Sequence, residues 1–388
     1  MRTFQFLMQN SKNFFIEKLL FLVFLFFISF AQATINSYEV YYYNDPSSTL
    51  SLKDIENKEF EKINKNFSLG YKKGNSWLKI KFYNNQASNK FFVELNEFFY
   101  DKVTFYEQVF GTWLEKNYQL NKKLSYRDIP TVNPVFSFSA NKNSNKIFYI
   151  KFKSKYSHFG KMNIYPRNYY LLGLKNYDYL HLFTIISLLI AFIISTIIYS
   201  RQKEKIYIYY MLYTLFLAIY IFKMSSFIVY LNLQEYIYQF HFITGIAVGF
   251  FILFSKEILE IKKYLKKIAI IIDISAILMF LISFMILIEY NPWNILLNTL
   301  ITFIFLLLLF ISFYTYKKGN TNSKYYFLVV FLYFIAAILF TLMLAGILEY
   351  NILTRYGYLF IITLEIVAFT LLLINKYNKV HPKEKLFS

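Results

Sequence analysis

The 388-residue chain contains no cysteine. That excludes disulfide staples, thiolate metal sites, iron–sulfur clusters and a cysteine nucleophile. Charged residues are also scarce. They make up 17% of the chain, against about a quarter in ordinary soluble domains, while hydrophobic residues reach 57% and aromatic ones 22%. A membrane protein is the class this balance predicts. Catalytic signatures are missing as well. The four histidines, His158, His181, His241 and His381, are scattered and show no HxxxH or HExxH spacing. There is no Walker loop, no GxSxG and no pair of intramembrane aspartates, so neither an enzyme nor a cofactor is expected.

What the chain does have is a net charge of +19. Lysine far outnumbers arginine, and Asn, Ile, Tyr and Phe are inflated alongside it, as in a protein encoded by AT-rich sequence. The charge therefore does not imply a nucleic-acid partner. The positions of the lysines carry more information than their total.

The N-terminus has a basic segment (Arg2, Lys12, Lys18), an apolar core LLFLVFLFFISF at 19–30 and AQA ending at Ala33. These are the three regions of a secretory signal peptide, assigned to residues 1–33. The core is short of the roughly 20 residues a span needs. A retained N-terminal anchor is the alternative.

Over 34–175 the apolar residues alternate in short runs. WLKIKFYN sets Leu78, Ile80 and Phe82 against Lys79 and Lys81, and KIFYIKFKSK sets Phe148, Ile150 and Phe152 against Lys151 and Lys153. Period-two runs separated by YNNQASN, VFG and ANKNSN predict half-buried strands in one all-β domain, a jelly-roll-like sandwich. Seven apolar segments follow within 178–377, at about 180–199, 206–224, 238–255, 268–288, 294–316, 325–346 and 356–376, each long enough to cross a bilayer as a helix. They predict an all-α seven-helix membrane bundle, with residues 378–388 as a short tail. An odd number of spans without an evident repeat gives no sign of a midplane transport site.

The connections after spans one, three and five hold Arg201, Lys203 and Lys205; Lys256, Lys262, Lys263, Lys266 and Lys267; and Lys317, Lys318 and Lys324. The opposite connections hold little more than Lys223 and Arg355. By the positive-inside rule the basic loops and the C-terminus are cytoplasmic and the β domain is outside.

In this order the segments resemble the bacterial seven-transmembrane receptors with diverse intracellular signalling modules, the 7TMR-DISM family. In the outer domain the resemblance is carried by GNSWLKIKFYNN, FFVELNEFFYDKVTFYEQVFGTWLE and NPVFSFSANKNSNKIFYIKFKS. In the membrane part it is carried by EKIYIYYMLYTLFLAIY, FSKEILEIKKYLKK and LEIVAFTLLLINKYNKV. It implies a bacterial inner-membrane sensor whose periplasmic domain resembles carbohydrate-binding jelly rolls and senses a small molecule or glycan. The family usually continues into a kinase or another output module. Only 12 residues, 377–388, follow the spans here, so the expected output is through a separate cytoplasmic kinase, response regulator or other effector. A second reading from a different class is an envelope scaffold or assembly factor, with the sandwich binding a glycan or protein and the bundle anchoring it.

Trp77, Tyr106, Trp113, Arg127 and His158 are the candidate ligand residues, because aromatic faces stack on sugars while Arg and His fix hydroxyls or anions. The competing reading is that such aromatics only fill the core, Trp77 packing inward from its strand. A surplus of basic residues, 22 against 13 acidic over 34–178, would attract an anionic glycan or lipid head group. Glu365 lies inside the seventh span, where a carboxylate must face the bundle and find a polar partner; Tyr hydroxyls, Asn298 and Lys223 are the candidates. Asp273 is expected to snorkel beside Lys266 and Lys267. In KEILEIKKYLKK, Ile258, Ile261 and Leu265 share one face, which predicts an interfacial amphipathic helix extending span three. Its cations, Lys256, Lys262, Lys263, Lys266 and Lys267, would touch anionic lipid, a cytoplasmic partner or both.

Overall fold

The computed structural model describes residues 38–172, 177–382 and Leu386. The stretch read as a signal peptide lies outside the described residues, as do 34–37 and 173–176 beside the sandwich and 383–385 and 387–388 of the tail.

Strands β1 (Tyr38–Asp45), β2 (Glu61–Ile63), β3 (Asn66–Ser68), β4 (Asn75–Asn84), β5 (Lys90–Leu95), β6 (Lys102–Val109), β7 (Thr112–Gln119), β8 (Val135–Ser139), β9 (Ser144–Lys153) and β10 (Phe159–Pro166) form two sheets. Their orders are β2-β1-β4-β9-β6-β7 and β3-β10-β5-β8, and every pairing is antiparallel. Alternation decides which side chains enter the core. Leu78, Ile80 and Phe82 of β4 and Phe148, Ile150 and Phe152 of β9 pack against Phe91, Val93, Phe138 and Ile164 of the facing sheet. Each such burial contributes roughly 1.5–3 kcal/mol, offset by the entropy of ordering the chain. Trp77 is buried, but on the other face of its strand. It sits outside the sandwich under the short helix Leu52–Glu56, in a cluster with Ile55 and Tyr149. Packing between the sheets would require the parity of Leu78, one residue along.

Seven long helices follow among the described residues: Tyr177–Gln202, Lys205–Lys223, Phe242–Ile258, Lys266–Ile286, Tyr290–Lys317, Asn322–Leu344 and Ile352–Val380. Each contains a stretch long and apolar enough to span a membrane. Neighbours in sequence pack side by side, and the seventh returns against the first, which closes a ring. Outward-facing Ile270, Ile274, Phe310 and Leu328 are exposed, as lipid-facing positions in a bilayer would be. The seventh helix starts with a capping box. Asn351 Oδ1 accepts from the Leu353 and Thr354 amides at 2.9 Å, and Thr354 Oγ1 accepts from the Asn351 amide at 3.0 Å.

The expected amphipathic extension of span three is not present. The helix stops at Ile258, Glu260 adopts a left-handed conformation with φ of 50°, and a short turn Ile261–Tyr264 leads into the next span. Ile258 and Ile261 are buried in the bundle core and Leu265 packs against it. The apolar face thus goes to protein, not lipid. Asp273 is likewise bound by Lys256, both carboxylate oxygens at 2.7 Å, in place of Lys266 and Lys267.

Candidate functional site

The sandwich docks on the end of the bundle opposite the lysine-rich connections. Phe98, Phe99, Leu120, Val132 and Phe159 pack with Met224, Ile228, Val229, Ile237, Met343 and Tyr350 in one apolar cluster that crosses from domain to bundle. The polar groups at this junction are sunk within that apolar surface.

Glu97 stands in the chain leaving β5, and Arg355 in the first turn of the seventh helix. Arg355 Nε donates to Glu97 Oε1 at 2.8 Å and Nη2 donates to Oε2 at 3.1 Å. Side-chain exposure is 2% for Arg355 and 3% for Glu97, so both ions have left water and each depends on the other. Tyr350 adds a hydroxyl to Glu97 Oε1 at 2.9 Å, and Tyr356 another at 3.4 Å. The guanidinium carbon lies 4.8 to 5.9 Å from the ring centres of Tyr356, Phe99, Phe159 and Phe340. These distances put all four rings within cation–π reach of the guanidinium.

Two further arms flank this pair. On one, Tyr238 donates to Asp101 Oδ1 at 2.6 Å, Tyr156 lies 5.2 Å from the Tyr238 ring, and the buried Lys223 Nζ is 2.5 Å from His241 Nδ1. On the other, Asn64 donates to Glu349 Oε1 at 2.6 Å and Ser68 Oγ donates to the Met343 carbonyl. Gly70 and Gly346, with φ of 77° and 80°, meet so closely that a Cβ on Gly346 would stand 2.8 Å from the Gly70 amide nitrogen.

Further into the bundle, Tyr213 donates to Glu365 Oε1 at 2.9 Å. Glu365 is 2% exposed and faces inward. Tyr210 donates to the Ile366 carbonyl and Tyr326 to Ser255 Oγ nearby in the same core. The other two candidate partners of Glu365 lie elsewhere: Lys223 is at the junction, and Asn298 is exposed on the outside of the bundle, where its amide donates to Asn294 Oδ1 at 3.2 Å.

The five candidate ligand residues do not converge on one site. Trp77 stacks on Tyr106 at 5.6 Å, and Trp113 meets Tyr149 edge-on at 5.6 Å, so three of them share the outer face of the six-stranded sheet. Trp77 is fully buried there, while Tyr106 and Trp113 are half-buried. Burial pushes the Tyr106 hydroxyl up to about 12. Arg127 is a clamp for its own loop, donating to the carbonyls of Leu120, Lys122, Thr131 and Val132. Its carbonyl partners leave little of the guanidinium for a ligand. His158 is fully buried, 2.7 Å from Ser76 Oγ, and burial lowers it to about 4, so it is neutral at ordinary pH. Both are buried side chains, not parts of an open surface.

At the end of the bundle away from the sandwich, Lys262, Lys263, Lys266 and Lys267 are exposed, Lys263 pairing with Glu260 at 2.8 Å. Among the described residues no group of three or more His, Asp or Glu is placed to hold a metal ion.

Sequence reasoning missed Glu97, Tyr350 and the role of Arg355. The available signal was Arg355 itself, one of the two cations, with Lys223, on the side of the bundle where the charge pattern leaves little else.

A β-sandwich docked on a ring of seven membrane helices, through a buried ion pair at one end, defines a multi-pass membrane protein of receptor architecture. The chain belongs to the 7TMR-DISM family. Residues 177–376 match the family model for 7TM diverse intracellular signalling, and residues 37–165 match that for 7TMR-DISM extracellular domain 2. No curated protein matches the sequence.

Proposed function

We propose that the protein is a non-enzymatic sensor of the bacterial inner membrane. The sandwich samples the periplasm, and the bundle relays ligand occupancy to a separate cytoplasmic protein. The observation that carries this reading is the Glu97–Arg355 pair, which ties the sandwich to the same helix that holds Glu365. A change in how the sandwich sits therefore acts first on the seventh span. Relay requires a ligand with different affinity for two arrangements of that joint.

A carbohydrate-like ligand fits the half-buried rings of Tyr106 and Trp113, with Trp77 stacked behind as support. The basic loops face the cytoplasm by the positive-inside rule, which puts the sandwich in the periplasm and the C-terminal helix end inside. There Lys262, Lys263, Lys266 and Lys267 offer an exposed cationic surface to an acidic face of a kinase or response regulator, or to anionic lipid.

The close backbone contact of Gly70 with Gly346 favours a second reading, a fixed mount for an envelope glycan or protein. Hydrogen exchange on the intact protein in nanodiscs, with and without a panel of periplasmic glycans, separates the two. A ligand that protects the Tyr106–Trp113 face and also alters exchange around 96–100 and 343–355 supports sensing. Protection of the face alone, with the junction unchanged, supports the mount.

A further inference from the structure

The fifth span carries polar side chains on its outside. Asn298, Thr299 and Thr302 are exposed together with Ile295, and spacings of three and four residues place them on one face of the helix. Asn298 lies eight residues after Tyr290, about 12 Å along the axis at 1.5 Å per residue, and so within the apolar part of the bilayer. The two threonine hydroxyls are satisfied by their own helix, donating to the Ile295 and Asn298 carbonyls at 2.9 and 3.0 Å. The amide of Asn298 is not. One N–H goes to Asn294 Oδ1, and on this exposed side chain the carbonyl oxygen and second N–H make no other hydrogen bond among the described residues. Hydrocarbon offers neither donor nor acceptor, so a polar group left there costs free energy that helix association recovers.

The neighbouring sixth span points the same way. Only 17% of its most apolar stretch is buried, against 28% to 56% for the other six spans, so the helix beside span five is the least covered by this chain's own packing.

We propose that this face is the contact between two copies of the chain, related by a two-fold axis along the membrane normal. An amide is donor and acceptor at once, so Asn298 of each copy supplies what the other lacks, as a self-complementary interface requires. A lipid chain or an apolar helix could not do this. The arrangement keeps both sandwiches on one side of the membrane and both lysine surfaces on the other.

The absence of native cysteine makes the test direct. Single variants Thr299→Cys and Thr302→Cys of the full chain, which keep Asn298, are expected to give a disulfide-linked dimer when oxidised in membranes. Ile277→Cys on the exposed face of span four and Ile190→Cys on span one are expected to give none. Adding Asn298→Leu to Thr302→Cys should weaken cross-linking roughly tenfold. Equal yields at all four positions, or no dimer at any, overturn the proposal; so does an adduct with a different protein at Thr299→Cys or Thr302→Cys. Should the variants fail to accumulate, single-molecule photobleaching of the tagged wild-type chain in dilute liposomes decides. Two bleaching steps are expected, and single steps at every protein-to-lipid ratio overturn it.

Discussion

Glu97 and Arg355 stand 258 positions apart and meet through two hydrogen bonds, with both side chains nearly out of contact with solvent. Glu97→Ala leaves the guanidinium buried with no anion. The expected loss of stability is about 3–5 kcal/mol, typical of breaking a buried pair from one side. The double change Glu97→Leu with Arg355→Met should recover most of it, because it removes both charges and keeps volume. Denaturant unfolding of the intact protein in nanodiscs measures both, and a double variant no better than Glu97→Ala would contradict this account of the pair.

Gly346→Ala tests the backbone contact. The position has φ of 80° and its new Cβ would press on Gly70. Gly319 has φ of 100° with open space around it. Both substitutions carry the left-handed penalty of about 1–2 kcal/mol, but only Gly346→Ala should also speed amide exchange at 68–70. Identical exchange in the two variants counts against a tight joint there.

His158 predicts a pH dependence. Its folded-state value of about 4 lies below the ordinary 6.5 because burial disfavours the imidazolium. The unfolded chain therefore binds the extra proton first. Stability is complete above pH 6.5 and falls as pH drops toward 4, by about 3 kcal/mol over that window. His158→Gln should flatten this part of the curve, measured by denaturant titration between pH 4 and 7.

Tyr106→Ala and Trp113→Ala separate recognition from folding. If the proposed glycan site is correct, loss of a stacking ring should weaken glycan binding by roughly 1–2 kcal/mol while moving the melting temperature little. Arg127→Ala should do the reverse, since it frees buried carbonyls of its loop. Calorimetric titration beside thermal unfolding distinguishes them, and weaker binding in Arg127→Ala at unchanged melting temperature would return that residue to the ligand site.

Much of the architecture was legible because it rests on period. Leu78, Ile80 and Phe82 alternate, and the seven long apolar runs have no soluble explanation. Glu365 was legible too, since a carboxylate at that depth has only one direction to face. Pairing over long separation was not. FFVELNEFF gives no sign that Glu97 is sunk among aromatics, and Arg355 looks like an ordinary residue of a short loop. Trp77 was assigned to the wrong face because nothing in WLKIKFYN reveals that the helix Leu52–Glu56 covers the outside of the sheet. The break at Glu260 escaped because its neighbours keep helical spacing, and a single left-handed residue leaves no periodic trace. Asn298 was drawn inward by chemistry, whereas helix rotation, which one span alone does not reveal, turned it out.

The seventh helix runs unbroken from its Asn351 cap to Val380, 29 residues, or about 43 Å. Arg355 grips the sandwich near one end and Lys376 pairs with Glu204 near the other. No proline interrupts it, so it has the continuity a push-rod requires. On the proposed sensor reading, a shift or twist imposed at the sandwich end would reach the lysine-rich end through one continuous helix.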